Sequence, residues 1–537
     1  MRSFVRDAKA VYASGMTSVP QGMPGIPRPR QQFAVAEVKQ SPQTGLRGVA
    51  ITVAAVFVML VDATAANVIN TGLPHLQGLS AATPDEASWI LIAFNAAYYS
   101  TILFSPWLYA RLGRKPLLLA GLLGFGVTSL MLAATRSFDL VVVLRFLQGA
   151  FLGSVFVPAA VLLFTSLPLA LLPLAPPFFA TVVLGGSTLG GLIGGYVSDN
   201  YGGDAIYLPG AIATMIAAAM VYVAAPSIDT PQEDLRPDII GYALSVVAFG
   251  AMQYLANEGE RRNWFDDQSI VVAATIVLLA APALVVWELH ATSRPHVNFR
   301  LIAQKRNLAV GSAVNVVLGI AGYSVLTFSL YMETLISATA TLAGEMIALR
   351  LVTYVVGIIA AFTLVKKRVL DVRVLICIAA VGSAVAFLGF ARNMTSTADA
   401  GSFVAVTLLF GLVFSMLSQP VPALVLGSLG LADLPAGLSI YKVSVPIGLM
   451  IGTGTFQTLL DHRSTVHMTE LAATITPAHV PVAQYIQSGG SIAALAALVN
   501  AQAQSLAFDD VMVGFAVLVL LAIPIVFLAD IRPGPSR

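Results

Sequence analysis

Charge is what this sequence has least of. Of 537 residues only 10% are Asp, Glu, Lys or Arg while 57% are hydrophobic, whereas soluble globular domains run near ~25% charged. A water-soluble fold is excluded. There is one cysteine, Cys377, and it lies in an apolar run, so neither a disulfide framework nor a thiolate metal cluster is available and the residue reads as a small core hydrophobe. No GxxxxGK[ST] phosphate loop occurs, which disfavours a pump driven by nucleotide hydrolysis. No HExxH occurs, all six histidines lie outside the apolar runs or at their edges, and GGSTL at 185–189 misses the GxSxG elbow at its last position. A membrane-embedded enzyme is disfavoured on those grounds, and neither a metal nor another cofactor is expected. The net charge of +2 from 29 basic and 27 acidic residues is too even for a nucleic-acid-binding footprint.

What the chain has in quantity is apolar runs of about 20 residues, the length that crosses a ~30 Å hydrocarbon core as a helix. Fourteen occur between residues 47 and 530, so the expected fold class is an all-α polytopic membrane protein. Residues 1–46, rich in Pro, Gln, Gly and Arg, have no apolar stretch and read as a disordered tail. Alternate connections between the runs hold 21 Lys and Arg against five on the other side, with three inside runs. By the positive-inside rule both termini are expected to be cytoplasmic. The expected division is a bundle over 47–225, an inserted pair with linkers over 226–300, a second bundle over 301–530 and a short tail at 531–537. The outer connection 460–509 is about fifty residues long and includes the helix-like SIAALAALVNAQAQSLAF. It is open between a docking surface for an outside partner, a lid, and a tolerated insertion.

Asp62, Arg145, Arg350 and Lys442 lie well inside runs, where ionisable groups are costly and therefore candidates for function. Asp62 is seven residues from the outer end of its run and Arg145 six from the outer start of its own. At 1.5 Å per residue both sit roughly 10 Å below the surface and are expected to meet. A carboxylate at that depth beside a cation is a natural proton carrier, although a permanent salt bridge between two helices would look the same. Lys442 is near enough to the cytoplasmic end to snorkel, and Arg350 is expected to pair with Glu345 or Glu333. Together with Arg350 and Lys442, a midplane cavity would be lined by Asn67, Asn95, Tyr98, Tyr99, Asn315, Tyr323, Tyr354 and Gln419. Gly186, Gly190 and Gly194, and likewise Gly191 and Gly195, recur every four residues. Such a stripe lets a neighbouring helix come close, either to pivot or simply to pack.

Several of these segments resemble known motifs in a set order. SPWLYARLGRKP, with Gly113, Arg114 and Lys115, is similar to the loop signature of the major facilitator superfamily, although Pro106 and Ala110 replace its Gly and Asp. LVDATAANVINTGLP resembles the first-span signature of the fourteen-span drug:proton antiporters of the EmrB/QacA type, and VLRFLQGAFLG their RxxQG element, matched by Arg145, Gln148 and Gly149. LGGSTLGGLIGGY is similar to their glycine motif, with Ser187 and Gly191 in place of prolines, and WELHATSRPHVNFRLI to their linker before the ninth span. The resemblance implies a major-facilitator fold with two six-helix bundles flanking an inserted pair. It implies alternating-access export of small amphipathic compounds in exchange for protons, with a small-molecule substrate, protons and the lipid bilayer as partners. A bacterial inner membrane is the implied location, and a periplasmic adaptor with an outer-membrane channel the implied assembly. A channel, facilitator or sensor-like protein without proton coupling is the alternative.

Overall fold

The computed structural model describes residues 45–69, 84–167, 175–226, 237–291, 295–475, 480–488 and 491–530. The tail expected over 1–46 therefore lies outside the described residues except for its last two. Among the described residues fourteen helices are long and apolar enough to cross a membrane, and no strand occurs. The first half comprises α1 (Leu46–Ala65), α2 (Glu86–Leu112), α3 (Arg114–Ala134), α4 (Phe138–Ser166), α5 (Phe178–Tyr201) and α6 (Gly203–Ala224). Next come α7 (Ile239–Glu258) and α8 (Gln268–His290). The second half comprises α9 (Arg306–Thr334), α10 (Ala340–Lys366), α11 (Val372–Asn393), α12 (Ala400–Leu426), α13 (Leu434–Thr474) and α14 (Ile492–Val526). In hydrocarbon a backbone must satisfy its own polar groups, which is why every apolar run became a helix.

Short polar punctuation sets the helix ends. Asp238, Thr339, Asp371 and Ser491 each accept a hydrogen bond from a first-turn backbone N–H of the helix that follows. Between α2 and α3 the turn is made by Gly113 at φ 78°, a left-handed conformation that residues with a Cβ rarely adopt. Within the first half α1 packs on α4, α5 and α6, α2 on α4, and α3 on α4 and α6. The second half repeats the scheme, with α9 on α13, α10 on α12, and α14 on α11 and α13. The halves meet chiefly through α5 against α10 and α2 against α13. The inserted α7 braces that second seam by touching both α2 and α13, whereas α8 leans on α7.

The long connection over 460–509 is largely helical among the described residues. α13 runs unbroken for 41 residues, and the helix of α14 begins at Ile492, so both extend past the lengths their apolar runs suggested. A short helix, Val480–Gln487, lies between them. Arg463 and His467 of α13 both meet Asp510 of α14, the latter at 2.8 Å. Ser396 donates to Gln502 at 2.8 Å, tying the hairpin down to the end of α11.

Candidate functional site

Asp62 is completely buried on α1. Its carboxylate accepts a hydrogen bond from the Tyr98 hydroxyl of α2 at 2.9 Å and faces Lys442 Nζ of α13 at 3.3 Å. Lys442 is 15% exposed along its side chain and lies over the ring of Phe156 at 4.3 Å, so one cation is held between a carboxylate and an aromatic face. Four residues later stands Pro446. A proline has no N–H to give its i−4 carbonyl, so the Lys442 carbonyl loses its helical donor and α13 is weakened where its charged residue sits. The arrangement places a titratable group, its counter-charge and a weak point in one helix at the seam between halves.

Arg145 is not the partner of Asp62, contrary to expectation. It is buried inside the first half, where its guanidinium donates to Gln148 Oε1 and to the Ile90 carbonyl at 3.2 Å and stacks 4.1 Å from the centre of Phe94. Gln148 in turn donates to Ser129 at 2.7 Å, and a Cβ on Gly149 would strike the Phe94 carbonyl. The RxxQG element therefore cross-links α2, α3 and α4. Equal depth alone misled, because it says nothing about azimuth: Arg145 points into its own half and Asp62 toward the other.

Arg350 pairs with neither Glu345 nor Glu333. It donates to Thr188 of α5 at 3.1 Å and lies 5.6 Å from the Tyr354 ring, while its Nε has no hydrogen-bond partner. It also borders a small cavity inside the second half, walled by Phe328, Phe387, Phe390, Phe410 and Met512. The other expected cavity residues divide. Tyr98 belongs to the Asp62 site, and Tyr99 packs on Phe249 of α7. Asn315 donates to the Tyr441 carbonyl at 3.2 Å, tying α9 to α13. Gln419 is buried with its Nε2 unpartnered, whereas Asn67, in the turn just past α1, donates to the carbonyl of Ala63. Asn95 and Tyr323 are half-buried.

The glycine stripe of α5 serves two neighbours. On one side a Cβ at Gly186 would lie 2.6 Å from Ala63 Cβ and one at Gly190 2.6 Å from the Thr64 carbonyl, both on α1. On the other, Gly195 abuts the Ala340 carbonyl, and Gly344 sits against Gly191 and Leu192. Gly194 gives its carbonyl to Ser198 at 2.6 Å. Asp199 then accepts from the Thr341 backbone N–H at 2.7 Å, closing the α5–α10 seam at its end. At the start of α3, Arg114 donates to Thr165 of α4 at 3.0 Å and Lys115 to the Tyr222 carbonyl in the last turn of α6 at 2.7 Å.

Two interlocked six-helix halves with a charge pair across their seam have the architecture of a membrane transporter. The family model described as Major Facilitator Superfamily matches residues 55–305. The chain is 25% identical over 450 residues to the multidrug export protein EmrB of Escherichia coli K12, covering 82% of this chain and 85% of that one. It is also 25% identical over 489 residues to the fatty acid resistance protein FarB of Neisseria gonorrhoeae, covering 88% and 94%. Among solved structures a D-xylose-proton symporter matches with a TM-score of 0.54 at 13% identity, over 88% of this chain and 97% of the other, a likeness of fold alone. These comparisons liken the chain to the major facilitator superfamily.

Proposed function

We propose that the protein is a proton-coupled exporter of small amphipathic compounds, in which Asp62 takes the proton and Lys442 is its switchable partner. The observation behind this reading is the ion pair that joins α1 of one half to α13 of the other. With Asp62 ionised the pair holds the seam together. Protonation removes the attraction and frees Lys442 to meet the electron-rich part of a substrate, so proton and substrate compete for one site. The two halves then rock about the glycine-lined α1–α5–α10 contacts. Arg350, which among the described residues has no carboxylate partner and stands beside a small phenylalanine-lined cavity, favours lipophilic acids and neutral aromatics over organic cations. The names of EmrB and FarB support export, and a bacterial inner membrane with both termini cytoplasmic fits the distribution of basic residues. The outer helical hairpin is the natural place for a periplasmic adaptor to dock. In proteoliposomes loaded with a pH-reporting dye, a weakly acidic substrate should drive proton movement in the wild type and none in Asp62→Asn, with downhill substrate exchange partly kept. Unchanged proton movement in Asp62→Asn would overturn the assignment.

A further inference from the structure

Where α7 begins and α8 ends, three side chains not used by the site above converge out of contact with solvent. Asp238 caps α7, Glu288 stands in the last turn of α8, and His296 lies in the turn leading to α9. The side chains of Glu288 and His296 are fully buried and that of Asp238 nearly so. His296 Nδ1 is 2.7 Å from Glu288 Oε1 and 3.7 Å from Asp238 Oδ2, and one donor atom from each residue lies within 4.8 Å of the others.

The outer oxygens of both carboxylates are already held. Asp238 Oδ1 accepts from the Gly241 N–H at 2.9 Å, and Trp287 Nε1 donates to both Asp238 oxygens. The Val297 N–H reaches Glu288 Oε2 at 3.3 Å. That leaves Glu288 Oε1 and His296 Nδ1 in close contact at 2.7 Å with no other partner for either atom at hydrogen-bond distance, and His296 Nε2 buried without a hydrogen bond. The backbone has made room for this. α8 closes with a π-helical turn, Trp287–Ala291, a feature frequent at functional sites. A Cβ on Gly241 would lie 2.6 Å from Glu288 Oε1 and 3.0 Å from Asp238 Oδ2, so only glycine leaves the space open.

Charge points the same way. With a neutral imidazole the cluster has two negative charges, and among the described residues no Lys or Arg forms an ion pair with either carboxylate. A proton on His296 would balance one of them, whereas a divalent cation balances both. We propose that Asp238, Glu288 and His296 bind a divalent transition-metal ion of the Zn²⁺ or Mn²⁺ type, which pins the start of α7, the end of α8 and the linker to α9 together. One imidazole nitrogen with two carboxylate oxygens suits those ions, whereas Mg²⁺ and Ca²⁺ prefer oxygen alone. Trp287 and the Gly241 and Val297 amides are the outer hydrogen bonds that orient ligating carboxylates. The edge contact of the Phe104 ring with His296, 5.3 Å between centres, carries the brace to α2. This assignment is independent of what the protein transports.

The test uses the purified full-length protein in detergent with His467→Ala as background, because His467 and Asp510 on the outer hairpin form a second imidazole–carboxylate contact. After stripping with chelator, Zn²⁺ titration by calorimetry should give one ion per chain, unaffected by excess Mg²⁺, and should raise the melting temperature. His296→Ala and Glu288→Gln should each weaken Zn²⁺ by at least about tenfold, the lower end of what even an outer-shell change costs. Both should also abolish the thermal shift. His296→Cys, which restores a zinc ligand, should recover binding even if the alanine variant is poorly folded. Equal Zn²⁺ affinity in His296→Ala, or no binding to the wild type, would overturn the proposal and leave a proton as the cluster's counter-charge.

Discussion

Lys442 Nζ lies 3.3 Å from Asp62 Oδ2, so the two halves of the molecule share a charge pair that neither half could satisfy alone. Removing one member leaves the other stranded. Lys442→Met should cost about 3 to 5 kcal/mol of stability, or else hold Asp62 protonated. The double variant Asp62→Asn/Lys442→Met should recover most of that stability yet remain uncoupled. Thermal denaturation in detergent together with proton flux in proteoliposomes checks both halves of this statement. Additive losses in the double variant would mean that the two residues do not interact.

Arg145 predicts a different phenotype. Arg145→Lys keeps the charge but loses the planar fork that reaches Gln148 and Ile90, and should lower stability by roughly 1.5 to 3 kcal/mol. The number of protons moved per substrate should not change, because among the described residues its partners are Gln148 and the Ile90 carbonyl rather than a carboxylate. An altered stoichiometry in a folded Arg145→Lys protein would return this residue to the coupling path.

The glycines of α5 separate by what they touch. Gly195→Ala places a methyl against the Ala340 carbonyl and should pry the α5–α10 seam apart. Greater labelling by a membrane-impermeant thiol reagent of a cysteine placed at Thr341 would register it. Gly185→Ala, whose methyl would meet only Leu351 Cδ2 at 3.9 Å, should be neutral or stabilise the helix by about 0.5 to 1 kcal/mol. Equal effects at the two positions would show that close approach is not what the stripe provides.

Arg350→Gln should reduce export of lipophilic acids more than that of neutral aromatics of similar size, since it removes charge while keeping a donor for Thr188. Competition assays with a matched acid and amide measure the difference. A uniform loss would mark Arg350 as a packing residue of the α5–α10 seam.

Much of this was legible beforehand. Hydrophobic length located every span, because in a membrane burial and helix formation are one requirement. The glycine spacing located the close contacts of α5 for the same kind of reason: inside a helix, a missing Cβ lets a neighbour approach. What sequence alone could not supply was direction around each helix. Asp62 and Lys442 are 380 residues apart, and nothing in either run states which face turns toward the seam. The Asp238–Glu288–His296 cluster escaped notice because its residues are spread over 59 positions and match no spaced ligand motif. A signal was present in hindsight: an acid and a histidine eight apart at the end of an apolar run, with a second acid opening the run before.

α13 is 41 residues long and continuous from Leu434 to Thr474. At 1.5 Å per residue, Thr474 stands about 48 Å from Lys442. A tilt of about 5° at the charge pair would swing that tip by roughly 4 Å, the arc subtended by a rigid rod of that length. The helix is thus a lever arm with its fulcrum beside the seam. If Asp62 takes the proton as proposed, a single uptake there would become an amplified displacement at the far end of α13, where an electron-spin label on the tip would report each turnover and where a neighbouring protein could sense it mechanically.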